Sequence, residues 1–463
     1  MHSTKIGSAS HHLQRLRQQF AQTGQDPIAQ AFDGAQVEQI LSQEMGCWRE
    51  RIYPPMVTLH LFINQVLSPQ RACQDAVCQR LSQRTADAQT PCRLNTGPYC
   101  KARQRLAPGL PQRLCKQLGL QLESCVAPQW GWRGRSVKLF DATTVSMPDT
   151  PKNQLAWPQN GQQKAGLGFP IARIGALISL ASGCVIDYAV GAMKGKSSGE
   201  QALLREVAPS LKAHDILLAD ALHSTWWALH MLMQRGVDVV MPNDGKRKVD
   251  FSEGTVLGAS DRLVHWPRPK RAPWVTVAHY ALMPKGIWVR EVSVGGRILV
   301  TTLADALQTS PQQLGALYAM RWNIEVDFRT LKATMGMDVL RCLSPAMVRK
   351  EIAVYLLAYN LVRWTMARAA QLVQRSARAL SFASARSLIC TFAGDLQRHT
   401  YRDTDYLAAT LLKSISRCVL PQRPNRVEPR AKKRRPKPLP LLAVPRAMAR
   451  ELILARRALK VVP

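Results

Sequence analysis

The chain has 463 residues, 46% of them hydrophobic, and carries 63 Lys and Arg against 31 Asp and Glu, a formal charge of +32. That is enough apolar material for a large core in two or three domains, which argues against a disordered basic tail, and the charge favours a polyanionic partner bound in a salt-sensitive way. The N-terminus has no apolar signal region and the longest apolar stretch, Ile174–Val190, is broken by Ser182-Gly183 and Asp187, so neither secretion nor a membrane span is expected. The 11 cysteines include no CxxC pair, Cys73 and Cys78 lying nearest, and read as reduced small hydrophobes of a cytoplasmic protein, with no zinc site.

Residues 1–130 read mainly as short helices. One is expected from about Ser68-Pro69, and another from Thr96-Gly97-Pro98 carries Lys101, Arg103 and Arg105 before Pro108, a basic helix suited to DNA. A β-rich pattern follows: a strand at Val137–Phe140 ending on Asp141, a hairpin of Ile171–Leu180 and Cys184–Ala192, a helix at Ser198–Leu211, and a buried strand at Asp215–Ala219 ending on Asp220. His223–Arg235 is helical and Val237–Met241 is a strand. This order predicts an α/β fold with a mixed sheet and flanking helices. About Asn243 to Leu303 is predicted to be a β-rich insertion with strands at Val275–Leu282, Ile287–Val294 and Arg297–Thr302. Residues 346–375 and 380–420 are predicted to be helical. The stretch 421–440, PQRPNRVEPRAKKRRPKPLP, reads as an extended basic linker in a tail (421–463) that holds 13 Lys/Arg and two acids.

Tyr318–Lys332, YAMRWNIEVDFRTLK, is the most informative run. Its predicted helix starts at a capping box, Ser310-Pro311-Gln312-Gln313, and stops at Gly336. On a continuous α-helix Tyr318, Arg321, Glu325 and Lys332 fall at about 0°, −60°, −20° and −40°, beside an apolar stripe of Leu314, Leu317, Met320, Ile324, Phe328 and Leu331. Arg321 and Glu325 could form an ordinary i,i+4 surface pair. The alternative is a site. If the strands bearing Asp141 and Asp220 are neighbours, their carboxylates approach, a repulsive arrangement that a divalent cation relieves. Oxygen ligands suit Mg²⁺ or Mn²⁺, and Glu325 would supply a third carboxylate. Two such ions about 4 Å apart clamp an in-line phosphoryl displacement, with Arg321 and Lys332 holding neighbouring phosphates.

These residues resemble the DDE transposases of bacterial insertion sequences, specifically the family with a Y-x-x-R-x-x-x-E-x-x-x-x-x-x-K signature. Tyr318, Arg321, Glu325 and Lys332 fit that spacing without a gap, DATTVSMPDTPKNQ (141–154) is similar to the first acidic motif, ILLAD (216–220) to the second, and MGMDVLRC (335–342) to the segment after the signature. The resemblance spans at least residues 137–365. It implies an RNase H-like core with Asp141, Asp220 and Glu325 as catalytic residues holding two Mg²⁺ (or Mn²⁺) ions. It also implies that Tyr318, Arg321 and Lys332 grip DNA phosphates, and that the chain cuts and joins DNA as a synaptic homodimer at terminal inverted repeats in a bacterial, nucleoid-associated setting. The expected organisation is a helical end-binding region (1–130), a first core part (131–242), the β-rich insertion (243–305), a second core part with the Glu helix (306–375) and a helical C-terminal region (376–463) with the basic tail. Trp266, Trp274 and Trp288 are the insertion's candidates for stacking on a flipped base. One position departs from the pattern: Ala221, where many relatives carry Arg after the second Asp. The competing readings are a repurposed copy that binds DNA without cutting it and a basic RNA-associated protein.

Overall fold

The computed structural model describes residues 31–421 and 442–459 with Ile6 and Gly7, leaving out Asp33, Glu50, Ala127, Lys194, Lys196, Ser197 and residues 397–400. Nearly all of the expected basic linker therefore lies outside the described residues. Among the described residues the helices before the main sheet are α1 (Gly34–Met45), α2 (Pro55–Leu67), α3 (Cys73–Ala86), α4 (Gly97–Arg105) and α5 (Gly109–Ser124). The helix expected from Ser68 starts five residues later. Ser68 instead closes α2, and its hydroxyl accepts from the Arg71 N–H at 3.2 Å while Arg71 takes a left-handed φ of 54°.

The sheet begins with β1 (Val137–Ser146), followed by α6 (Pro151–Ala156), β2 (Ile171–Ser179), β3 (Val185–Ala192), α7 (Glu200–Val207), β4 (Ile216–Leu218), α8 (Trp226–Met233) and β5 (Asp238–Pro242). Their spatial order is β3-β2-β1-β4-β5, with β2 antiparallel to its neighbours and β1, β4 and β5 parallel. The predicted mixed sheet with flanking helices is observed. Strand β4 is a continuous buried apolar run and β1 is buried over Val137–Phe140, as strands covered on both faces are.

The insertion contributes β6 (Thr255–Gly258), β7 (Asp261–Pro267), α9 (Val277–Leu282), β8 (Gly286–Val294) and β9 (Arg297–Thr301). It is not a separate module: β9 pairs antiparallel with β5, so the sheet runs to nine strands. One expected strand, Val275–Leu282, is instead a short helix, because the Thr276 side chain caps it by accepting from the His279 N–H. Arg290 on β8 is fully buried; it donates to both Asp261 oxygens (2.8 and 2.5 Å) and to the Thr309 carbonyl at 2.8 Å, tying the insertion to the start of the next helix.

That helix is segmented. It runs as α10 (Pro311–Ala319), a 3₁₀ turn (Met320–Trp322), α11 (Asn323–Arg329) and a π-type turn (Thr330–Thr334). The capping box at Ser310 and Gln313 is formed. Next come α12 (Pro345–Gln371), α13 (Phe382–Leu396) and α14 (Tyr401–Arg417). Helix α12 is buried along nearly its whole length. Its Asn360 accepts from Val185 N–H (2.9 Å) and donates to the Val185 and Cys115 carbonyls (2.8 and 3.2 Å), closing the edge of β3 and joining it to α5. Gly119 of α5 sits so near this edge that a Cβ would lie 2.3 Å from the Val185 carbonyl oxygen. Leu110, Leu114, Leu118 and Leu122 of α5 belong to the same apolar core as β1–β5, so no break in packing falls at residue 130. No described helix is long and apolar enough to cross a membrane.

Candidate active site

Strand register brings the two aspartates together. Leu139 on β1 pairs with Leu218 on β4, so Asp141 and Asp220 lie two residues beyond the same rung. There the paths diverge: β4 ends, whereas β1 continues to Ser146 along β2. Asp141 therefore lies inside a ten-residue strand and not at its end, a correction to the expected short strand. The opening between the departing β4 and the continuing β1 is the crevice in which sites of open sheets form. Asp220 caps the 3₁₀ turn Ala221–His223, its Oδ1 accepting from the Leu222 N–H at 3.1 Å. Ala221 occupies the first residue of this turn, and the exposed Leu222 offers its carbonyl to Gln201 at 2.7 Å.

The signature helix faces this crevice through Arg321. Its guanidinium donates to Asp141 Oδ2 at 2.9 Å and to Glu325 Oε1 at 3.1 Å, with the Arg321 side chain only 16% exposed. The ordinary i,i+4 pair is thus present, but its arginine also bridges to β1. Burial pulls the Arg321 pKa down, yet Tyr318, Asp141 and Glu325 outweigh it and push it up. Tyr318 is buried, and burial raises its phenol pKa against the opposing influence of Arg321 and Arg297. The break into 3₁₀ and π turns means that the continuous-helix projection does not hold for Lys332. It lies half-buried in the π-type turn and forms no ion pair among the described residues.

Asp327, two residues after Glu325, fixes this segment. Fully buried, it accepts from Arg363 (2.7 Å), Tyr359 (3.1 Å) and Arg378 (3.2 and 2.9 Å). A carboxylate with that many charge-assisted donors is fully compensated, and α11 cannot rotate without breaking the set.

Among the described residues the third acid to join the two aspartates is not Glu325. Ligand oxygens of Asp141, Asp220 and Glu200 all lie within 4.8 Å of one another. Burial raises the Glu200 pKa; Arg173, 3.6 Å away, opposes this while Asp220 and Asp141 reinforce it. Glu200 was not foreseen, because it opens a helix after Ser-Gly, where an acid is ordinary first-turn chemistry. Gly175 and Gly191 supply the only sequence hint: a Cβ on either would lie 2.8 or 3.2 Å from Leu203, so both glycines let α7 settle close on the sheet.

The basic helix α4 divides. Lys101 and Arg105 are exposed, but Arg103 is buried, its guanidinium over the rings of Phe62 and Tyr99 and donating to Cys73 Sγ at 3.3 Å. Arg103 is therefore a packing residue and not a DNA contact, because its face of α4 docks on α2. Among the tryptophans, Trp266 is also core, its indole N–H donating to Glu291 at 2.7 Å. Trp274 and Trp288 are about half exposed, Trp274 carrying the Arg205 guanidinium and Trp288 packing on His265.

A sheet of order 3-2-1-4-5, with one acid on its central strand, a second just past the end of the neighbouring parallel strand and a later helix bringing another carboxylate, defines an RNase H-like core of the DDE type. A family profile described as a transposase DDE domain matches residues 132–361. The chain is 26% identical over 343 residues, 73% of its length and 76% of the relative's, to the transposase InsG for insertion sequence element IS4 of Escherichia coli (strain K12). Among solved structures it has a loose likeness to a piggyBac transposase synaptic complex with hairpin DNA, with a TM-score of 0.40, 9% identity, and coverage of 81% of this chain and 78% of that one. The chain belongs to the DDE transposases of insertion sequences and is a DNA transposase.

Proposed function

We propose that this transposase cuts and joins DNA at the ends of its insertion sequence, as cut-and-paste chemistry requires, with Asp141, Asp220 and Glu325 as its catalytic carboxylates. The observation that carries the reading is the Asp141–Arg321–Glu325 bridge above an Asp141–Asp220 pair. One guanidinium satisfies two acids, one of them 180 residues from the arginine in sequence, and the third acid lies within reach of the first.

The donor set fits a hard divalent cation, since the three groups that converge are all carboxylates. Asp141, Asp220 and Glu325 would hold two Mg²⁺ or Mn²⁺ ions, which when bound supply positive charge to both the attacking and the departing oxygen at phosphorus. The chain's own residues do the rest. Arg321 offers a planar fork that can pass from carboxylates to a phosphate, two groups it recognises with the same geometry. Lys332, without an ion pair among the described residues, presents a point charge for a neighbouring phosphate, and Tyr318 helps to orient Arg321. The low exposure of Arg321 keeps these contacts away from bulk water, where they are worth more. Exposed Lys101 and Arg105 on α4 add DNA backbone contacts from the N-terminal helices, and two copies of the chain pair the two ends.

The test is cleavage. Purified protein and DNA carrying the inverted repeats that flank its gene should yield metal-dependent nicks at the repeat ends. Asp141→Ala should bind the same DNA with unchanged affinity and leave it intact. Tight end binding with no nicking by the wild type would instead support a repurposed, binding-only copy.

A further inference from the structure

We infer that Glu200 is a fourth carboxylate of the active site, which together with Asp141 and Asp220 holds a divalent cation in the DNA-free enzyme, while Glu325 joins only once Arg321 has left it. The inference rests on the proposed reading of Asp141 and Asp220 as metal-holding residues and goes further in naming who completes the first site.

The three acids that lie close enough to share one ion are Asp141, Asp220 and Glu200, not the three of the motif pattern. Glu325 lies outside that group, and its Oε1 is engaged by Arg321 at 3.1 Å. Glu200 has a weaker hold on its own cation: Arg173 Nε stands 3.6 Å from Glu200 Oε1, a loose ion pair beyond good hydrogen-bonding distance. Three anionic groups thus converge with one partial compensation from Arg173 and one from Arg321, an arrangement that a bound divalent ion stabilises.

A second, independent feature points to a ligand at the same place. His223 is fully buried, and neither ring nitrogen has a hydrogen-bond partner among the described residues. Its Nε2 faces the cluster, 3.6 Å from Asp220 Oδ1, too far for a hydrogen bond. Such a group destabilises the fold unless something bound beside it satisfies it. The backbone supports the same placement. Helix α7, which starts at Glu200, is seated through Leu203 on Gly175 and Gly191, so the position of its first residue is set by sheet packing and not by loop geometry.

The test is a MnCl₂ titration of DNA-free protein, read by calorimetry or by the loss of free Mn²⁺ signal in electron paramagnetic resonance. Wild type should bind at millimolar concentrations or tighter. Glu200→Gln and Asp141→Asn should each weaken binding by about tenfold or more, the scale on which loss of one supporting group acts, whereas Glu325→Gln should stay within about threefold of wild type. Thermal unfolding supplies a check on folding: Glu200→Gln, relieved of repulsion, should be at least as stable as wild type in EDTA and should gain less from MnCl₂. If Glu200→Gln binds Mn²⁺ like wild type while Asp141→Asn does not, Glu200 is no ligand and the active-site reading survives. If Asp141→Asn and Asp220→Asn also bind like wild type, the reading of the site itself fails. A folded Glu200→Gln whose stability rises with MnCl₂ as steeply as that of wild type likewise overturns the inference.

Discussion

Removing Arg321 tests how the site is held before DNA arrives. In Arg321→Gln, Asp141 Oδ2 and Glu325 Oε1 lose donors at 2.9 and 3.1 Å. Each hydrogen bond to a charged group contributes about 1.5–3 kcal/mol. The carboxylates are 20% and 34% exposed, so water replaces part of the loss and a net destabilisation of about 2–3 kcal/mol is expected in EDTA. The deficit should shrink in saturating MnCl₂, because a divalent cation takes over the role of the guanidinium and binds the variant more tightly. Both proteins bind the cation, so at saturation the deficit closes by the logarithm of their affinity ratio: a variant that binds a hundredfold more tightly than wild type recovers about 2.7 kcal/mol. Urea unfolding of both proteins, with EDTA and with MnCl₂, measures all four stabilities. Equal deficits in the two conditions would refute the idea that arginine and cation compete for the same carboxylates.

Three further outcomes follow from the packing. Asp327→Ala leaves Arg363 and Arg378 without their shared anion in the interior and should cost about 3–5 kcal/mol, read as a lower urea midpoint. Lys101→Ala and Arg105→Ala should weaken DNA binding and each lower the slope of log affinity against log salt by about 0.9, whereas Arg103→Met should lower stability and leave that slope unchanged. Glu123, on α5, accepts from Lys138 of β1 at 2.6 Å; burial raises its pKa, but Lys138 and Ser136 outweigh it and hold the carboxyl below its usual range. A depressed folded pKa means that the pair stabilises above about pH 4.5 and that this stability is lost as pH falls through the folded value. Lys138→Met should therefore flatten the fall in unfolding temperature at acid pH, and an unchanged acid limb would contradict the assignment.

Much of this was legible in the sequence because periodicity and burial agree there. The residues leading into Asp141 (Val137–Phe140) and Asp220 (Ile216–Leu218) are mostly apolar, and the Ser310 capping box marks the start of the signature segment. What escaped is tertiary. No pattern in nine residues of α4 tells which side docks, so Arg103 looked like its neighbours although Phe62 and Tyr99 enclose it. The wheel at 100° per residue assumed one unbroken helix, whereas 3₁₀ and π turns flank Asn323–Arg329 and shift Lys332 relative to Glu325. Thr276 could have been read as a helix cap, but the run after it, Val-Ala-His-Tyr-Ala-Leu, suits a strand as well as a helix. Glu200 was illegible for a different reason: its partners lie on β1 and beyond β4, and only the assembled sheet brings them together.

The most direct test compares Asp141→Asn, Asp220→Asn and Glu325→Gln on DNA carrying the element's own ends, scoring binding by mobility shift and nicking by denaturing gel in the same Mg²⁺ buffer. All three should bind like wild type and lose at least about a hundredfold in cleavage rate, the scale on which removal of a single electrostatic or acid–base catalytic group acts. Any one of them that still nicks the repeat ends at close to the wild-type rate would contradict the assignment of these carboxylates as the cutting centre.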